Sequence, residues 1–254
     1  MSDDPAIPAA TLVVMRPSAT RGAAPEILVV ERAAGMAFAG GAIVFPGGRV
    51  DDADRALAAR IGRPDDAARI TAIRETIEES AVVVGVTANE SALTPVAGPD
   101  LQRDLLAGME LDAALAQRGL MLDLDAVTPF ARWMPAFKQP RRFDTLFFLA
   151  PALPGEWLPR PQPGECEAAE WASAANLLAR IEQAQASAIF PTKRNLERIA
   201  RFMSFDEAID DARAHSMETI VPWVEQRGGA DFICIPEHRG YPVTSEPVSS
   251  ALRA

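Results

Sequence analysis

Apolar and polar residues change their spacing several times along the chain, and each change predicts an element. Residues 11–15 and 27–31 are short β-rich runs separated by Pro17, Gly22 and Pro25, so two strands joined by a loop are expected. A third short strand is expected at 42–45, where Pro46-Gly47-Gly48 stops it. Between residues 65 and 80 the period lengthens. Ile70, Ile73 and Ile77 recur at helical spacing, with Asp65 and Asp66 placed to cap the first turn and meet its dipole. Further along, the pattern predicts a strand at 82–86, an inserted helix at 101–117, and strands at 130–137 and 143–150 flanking the basic turn 138–142. A strand near 167–171, helices at 174–185, 192–203 and 205–215, and an apolar strand at 231–235 follow. The tail from Tyr241 onward is rich in Pro, Ser and Thr and is expected to be loosely held. Strands interleaved with helices give an α/β or α+β class.

Composition narrows the choice. The 254 residues are 48% hydrophobic, enough for one substantial core with elaborations, and no apolar run is long enough to cross a bilayer. The opening MSDDPAIPAA lacks the basic and long apolar regions of a secretory signal, so a soluble, cytoplasmic protein is expected. A net charge of −10 disfavours a polynucleotide partner, whose backbone needs a broad basic face. A small anionic substrate stays compatible, provided divalent metal and a few arginines reverse the field locally. Cys166 lies in a polar stretch and Cys234 in an apolar one, so they read as ordinary thiols rather than a disulfide or metal pair. His215 and His238 have no ligand-like spacing and read as structural.

Candidate chemistry concentrates in Arg74-Glu75-Thr76-Ile77-Glu78-Glu79. At about 100° per residue, Ile70, Ile73 and Ile77 form one stripe, while Glu75, Glu78 and Glu79 gather on a broad face away from it. Adjacent carboxylates repel one another unless a cation sits among them, and hard oxygen donors suit Mg²⁺ or Mn²⁺. Taken alone, such a cluster is more often a solvated acidic face. Upstream, however, Val44-Phe45-Pro46-Gly47-Gly48-Arg49-Val50-Asp51 is a strand ending in a turn whose glycines let backbone approach a phosphate or another chain closely.

Together these segments resemble the Nudix box, G-x5-E-x7-R-E-U-x-E-E-x-G-U with U aliphatic. Gly48 matches its first glycine, and Arg74, Glu75, Glu78 and Glu79 match its core. The first glutamate falls on Asp54, 19 residues rather than 7 separate it from Arg74, Thr76 stands at an aliphatic position, and Ala81 replaces the glycine. Residues 32–48, 131–150 and 165–171 and the Phe190-Pro191-Thr192 turn resemble the coenzyme A diphosphatase-like branch of the family, whose box carries an insertion. The likeness covers about residues 10–205.

The resemblance implies an α/β/α Nudix sandwich with a mixed β-sheet, plus a helical insertion and a C-terminal extension. Residues 1–9 would be a flexible N-terminus, 10–204 the hydrolase domain with its interrupted box at 48–82, and 205–254 the extension. It implies that Glu75, Glu78 and Glu79 ligate Mg²⁺ or Mn²⁺, that Arg74 orients a box carboxylate, and that Arg74, Glu78 and Glu79 serve catalysis. The proton of the attacking water would go to Glu79 or to a distal carboxylate, Glu167. Gly47, Gly48, Arg32, Arg141 and Arg142 are the expected substrate contacts, the arginines because guanidinium forks fit phosphate oxygens.

The implied activity is metal-dependent cleavage of a diphosphate linkage in a nucleoside diphosphate derivative, with coenzyme A or an acyl-coenzyme A as a candidate. Arg32, Ala33, Gly41 and residues 45–48 match the family's coenzyme A pattern, while its second arginine falls on Ala37. The expected partner is a small nucleotide, with neither polynucleotide nor membrane, and a homodimer is allowed. Two readings compete: a catalytically silent Nudix-fold nucleotide-sensing module, which would normally have lost box glutamates, and a plain acidic interaction domain.

Overall fold

The computed structural model describes residues 6–36, 39–88, 95, 97–135 and 142–251. Its strands are β1 (Ile7–Arg16), β2 (Glu26–Arg32), β3 (Ile43–Val44), β4 (Gly47–Arg49), β5 (Val86–Ala88), β6 (Leu120–Leu122), β7 (Thr128–Trp133), β8 (Phe143–Pro151), β9 (Cys166–Ser173), β10 (Trp223–Arg227), β11 (Ala230–Cys234) and β12 (Ser245–Pro247). Its helices are α1 (Asp52–Arg60), α2 (Ala67–Ser80), α3 (Ala97–Leu106), α4 (Leu111–Ala116), α5 (Ala174–Glu182), α6 (Phe190–Ile199), α7 (Phe205–Ala214) and α8 (Val248–Ala251).

The continuous apolar run of β1 is explained by burial on both sides of its pleat. Leu12 and Val14 face a core shared with Ile70, Ile73 and Ile77 of α2. Val13 and Met15 face a second core with Leu177 of α5, Leu196 of α6 and Ala208 of α7. A mixed sheet therefore lies between two helical layers, in the order β3-β2-β1-β8-β7, with β4 also pairing β1 and β9 also pairing β2. The β1–β8 pair is parallel, and the other pairs along this order are antiparallel. Two small sheets, β5-β6 and β10-β11-β12, complete the described residues. No helix among them is long and apolar enough to cross a membrane.

Full burial of the three isoleucines on α2 contributes roughly 1.5–3 kcal/mol each. Thr76, at an aliphatic box position, is fully buried too, and its Oγ1 donates to the Ala72 carbonyl at 2.7 Å, which satisfies the hydroxyl. The helix ends where Ala81 turns left-handed at φ 57°, its N–H donating to the Ile77 carbonyl. The box glycine would occupy that conformation freely.

Several elements differ from expectation. Asp66 precedes α2 without a side-chain cap; its carboxylate is taken by Arg63 and Arg69 instead. Val82, Val83 and Val84 are fully buried but unpaired in any strand, because they pack into the α2 core, and Gly85 at φ 61° turns the chain before β5 begins at Val86. The inserted helix is two helices, α3 and α4, broken where Gly108 adopts φ 89°. Strand β7 starts two residues before Phe130 and ends at Trp133; residues 136–141 lie outside the described set. Helices α5 and α6 stop earlier than the periodicity suggests, α5 because Ala184 turns left-handed at φ 55°. The N-terminal segment is strand from Ile7, which sits opposite Phe143.

Among the described residues, the tail from Tyr241 to Ala251 is anchored rather than loosely held. Tyr241 is buried in the second core, accepting a hydrogen bond from Trp133 Nε1 and donating to Asn195 Oδ1, both at 2.9 Å. Glu246 on β12 is buried against Lys193 Nζ at 2.7 Å. Single anchoring side chains hold this segment, and hydrophobic periodicity does not reveal them.

Ala81→Gly is expected to relieve the left-handed strain of about 1–2 kcal/mol, offset in part by glycine's greater chain entropy. The net gain should raise Tm by about 2–4 °C in a thermal melt. An unchanged or lower Tm would show that the cap carries no strain.

Candidate active site

The turn between β3 and β4 and the last turns of α2 build the site. Gly47 donates its N–H to Glu79 Oε2 at 3.0 Å. A Cβ at Gly47 would strike the Ala10 carbonyl and Thr11 of β1, and a Cβ at Gly48 would strike the Glu75 carboxylate. The glycine pair therefore lets the turn lie against both the sheet and the acidic face of the helix.

Arg74 organises the acids. It clasps Asp54 with two hydrogen bonds, Nε to Oδ1 at 3.0 Å and Nη2 to Oδ2 at 2.9 Å. Its Nη1 also reaches Glu75 Oε1 at 2.9 Å and Glu78 Oε2 at 2.8 Å. Asp54 is only 2% exposed, and its Oδ2 takes further bonds from Thr71 Oγ1 at 2.7 Å and the Asp51 amide at 3.1 Å. The 19-residue spacer therefore runs through α1 and a short 3-10 turn, yet Asp54 still lands on Arg74.

Burial penalises charge throughout the cluster. It pushes Glu75 up to about 7, against the lowering pull of Arg74, and it raises Glu78. It pushes Glu79 up to about 8, reinforced by the neighbouring Glu75 carboxylate. Burial also opposes the charge on Arg74, but the Asp54 hydrogen bonds and the surrounding carboxylates outweigh it and hold the guanidinium above its ordinary value. Three buried or nearly buried acids, Asp54, Glu75 and Glu78, thus face Arg74, while Glu79 has Arg32 Nη1 at 3.9 Å from its Oε1.

The structure brings Gly47, Gly48, Arg32, Arg74, Glu75, Glu78 and Glu79 together. Glu167 Oε1 accepts from the Ala34 amide, two residues beyond Arg32, at 3.0 Å. Glu165, just before β9 and not singled out in the sequence, is the carboxylate whose charge reaches Glu79. Between them, the Cys166 thiol is pushed up to about 12 by burial and then by Glu79, which makes it unreactive. Cys166 and Cys234 are both free and buried. Arg142 enters β8 beside Ile7, its Nη2 near Met134 Sδ at 3.6 Å and its Nε buried without a hydrogen-bond partner. Arg141 lies outside the described residues. His215 caps α7 through an Nδ1 contact to the Asp211 carbonyl at 2.8 Å, and His238 is almost fully exposed.

A NUDIX hydrolase from Alicyclobacillus acidocaldarius is 34% identical to this chain, over 82% of it and 97% of the other, with a TM-score of 0.68. The chain belongs to the Nudix hydrolase family, and it is accordingly a hydrolase of phosphorus-containing anhydrides. The NUDIX domain of Shewanella oneidensis NrtR, solved with ADP ribose, is 14% identical over 78% of this chain and 88% of its own, with a TM-score of 0.43. A C. elegans Ap4A hydrolase is 15% identical over 68% of this chain and 84% of its own, with a TM-score of 0.37. No family model and no curated protein matches the chain.

Replacing Arg74 with Met leaves the Asp54 carboxylate buried and uncompensated. Urea unfolding should show a loss of about 3–5 kcal/mol. A loss below about 1 kcal/mol would mean that the acids, not the arginine, set the local fold.

Proposed function

We propose that the chain is a divalent-metal-dependent pyrophosphohydrolase of nucleoside diphosphate derivatives, with coenzyme A and acyl-coenzyme A as the first candidate substrates. The carrying observation is the surplus of carboxylate beside the glycine turn: Asp54, Glu75, Glu78 and Glu79 against Arg74 and Arg32. Among the described residues no three His, Cys, Asp or Glu side chains form a ready metal-holding group. Arg74 and the Gly47 amide occupy several of the oxygens. The donor set nevertheless suits Mg²⁺ or Mn²⁺: hard oxygens from Glu75, Glu78 and Glu79, with too little positive charge to ionise them together. A divalent ion held there supplies neutralisation of phosphate oxygens and acidification of water.

The chain's own groups do the rest. The Gly47-Gly48 backbone gives a phosphate a close approach, and Arg32 offers it a guanidinium. Glu79 is assigned the role of base: the Gly47 amide fixes its Oε2, and Oε1, 3.9 Å from Arg32 Nη1, takes the water proton. Water then adds to phosphorus and the anhydride oxygen leaves on the second phosphate. Arg142, just before β8, is the candidate for the non-reacting phosphate because a guanidinium fork fits its oxygens. For coenzyme A the support is the match at Arg32, Ala33, Gly41 and residues 45–48.

A panel of coenzyme A, acetyl-coenzyme A, ADP-ribose, NADH and a dinucleoside polyphosphate, assayed with and without Mg²⁺ or Mn²⁺, tests this reading. Metal-dependent cleavage by the wild type, abolished in Glu79→Gln, is the expected result; no cleavage under any metal by a folded protein would favour nucleotide sensing. Gly48→Ala should push the Glu75 carboxylate aside and cut kcat on the order of 100-fold while the protein stays folded. Unchanged turnover in that variant would remove Glu75 from the site.

Stability supplies a pH test. Glu75 and Glu79 have folded-state values of about 7 and 8, above those of an unfolded chain, so their contribution is present at low pH and is lost as pH rises through those values. In chelator, Tm should fall between pH 5.5 and 8.5, and saturating Mn²⁺ should reverse much of the fall. A Tm that rises over that range in chelator would contradict the burial of these acids.

A further inference from the structure

We infer that Gln102, on the inserted helix α3, is a positioning residue that holds the turn bearing Glu78 and Glu79 in place through the Glu78 carbonyl. The inference rests on the role given above to those two glutamates.

The acids of α2 sit at its electrostatically unfavourable end. Glu75, Glu78 and Glu79 occupy the last two turns of a helix ending at Ser80, where unbonded carbonyls gather negative partial charge. Each of the last four carbonyls is engaged. Ala81 N donates to Ile77 O at 2.8 Å, Gln162 N to Glu79 O at 3.1 Å and Arg160 N to Ser80 O at 2.7 Å. Gln102 Nε2 donates to Glu78 O at 2.9 Å. Three of these donors are backbone amides, and Gln102 supplies the side-chain donor.

The same Nε2 donates to the Arg160 carbonyl, also at 2.9 Å. One amide nitrogen therefore joins the insertion, the acidic helix and the Pro-rich segment from Trp157 to Gln162. That segment is itself anchored: Trp157 is buried, and its carbonyl accepts from Trp171 Nε1 at 2.8 Å. Gln102 is 8% exposed, between the fully buried Leu101 and Leu105 at 5%. A leucine or methionine there would fill the space and continue the apolar face of α3, so packing alone does not call for an amide. Its removal leaves two part-buried carbonyls without this donor and leaves the segment at the end of α2 held by its Arg160 and Gln162 amides alone.

Gln102→Leu keeps the volume and removes the donor, and Leu105→Ala on the same helix costs packing without touching it. Both are compared with the wild-type full chain by urea unfolding, by kcat and KM on the best substrate of the panel, by Mn²⁺ titration, and by amide exchange at Arg160 and Gln162. Gln102→Leu should lower kcat about tenfold with KM unchanged, weaken Mn²⁺ binding about tenfold, and speed exchange at both amides. Leu105→Ala should lose at least as much stability while kcat and Mn²⁺ affinity stay at wild-type values. Equal kcat in Gln102→Leu and wild type, or a loss that tracks stability alike in both variants, overturns the inference. If the wild type cleaves nothing, the hydrolase reading fails separately. Mn²⁺ affinity and amide exchange then decide on Gln102 alone, and unchanged values for both reject it.

Discussion

A single guanidinium sets the geometry of this site. Arg74 binds Asp54 from α1 and Glu75 and Glu78 from its own helix, and without it three acids would crowd a space largely shielded from bulk water. The pairing also explains the tolerance of the box to its long spacer. What matters physically is that a carboxylate arrives at Arg74, not how many residues the chain spends getting there. Helix α1 carries Asp54 in its first turn, and Asp54 reaches back to the Asp51 amide, so the cap of one helix and the ion pair of the next share one carboxylate.

The sheet supplies the second constraint. Pairing of Ala9, Ala10 and Thr11 on β1 with Arg49, Gly48 and Gly47 on β4 fixes the glycine turn against the centre of the sheet, and Ile70, Ile73 and Ile77 hold α2 over the same strand. The Gly47 amide and Glu79 thus meet because two independent elements dock on β1. Neither glycine has room for a side chain, so the turn's sequence follows from a close approach on both of its faces. This placement keeps Glu75 and Glu79 largely buried and short of positive charge, a costly arrangement that the proposed divalent cation would relieve.

Much of this framework was legible in the residues. Strands β1, β2 and β8 and helix α2 carry long, strongly periodic apolar patterns, and two-sided burial of β1 follows from its unbroken run. Elements without such a pattern were not. Helix α1 is rich in Asp, Arg and Ala and buries little beyond Leu57 and Ala58, and β4 is three residues held by pairing alone. Val82 to Val84 misled for the opposite reason, being apolar because they pack rather than because they pair. At the site, Asp54 could be placed through its distance from Gly48. Glu165 could not be separated from Glu167, since only the fold shows which of them the Ala34 amide holds.

Two stretches outside the main sheet then take on a common purpose. The stretch between Gly48 and Arg74 brings Asp54 to the side of α2 where Arg74 projects, and the stretch between β5 and β6 brings Gln102 to the Glu78 carbonyl. One neutralises a cation that would otherwise bind the glutamates more tightly; the other satisfies carbonyls that would otherwise repel them. Both act on the helix that carries the acids, from opposite ends of its last two turns, and both are built from residues far away in the chain. A helix with three acids at its C-terminal end is unfavourable by itself. The surrounding fold holds the helix in place while leaving Glu75 and Glu79 buried and short of positive charge, the property on which the proposed cation site rests.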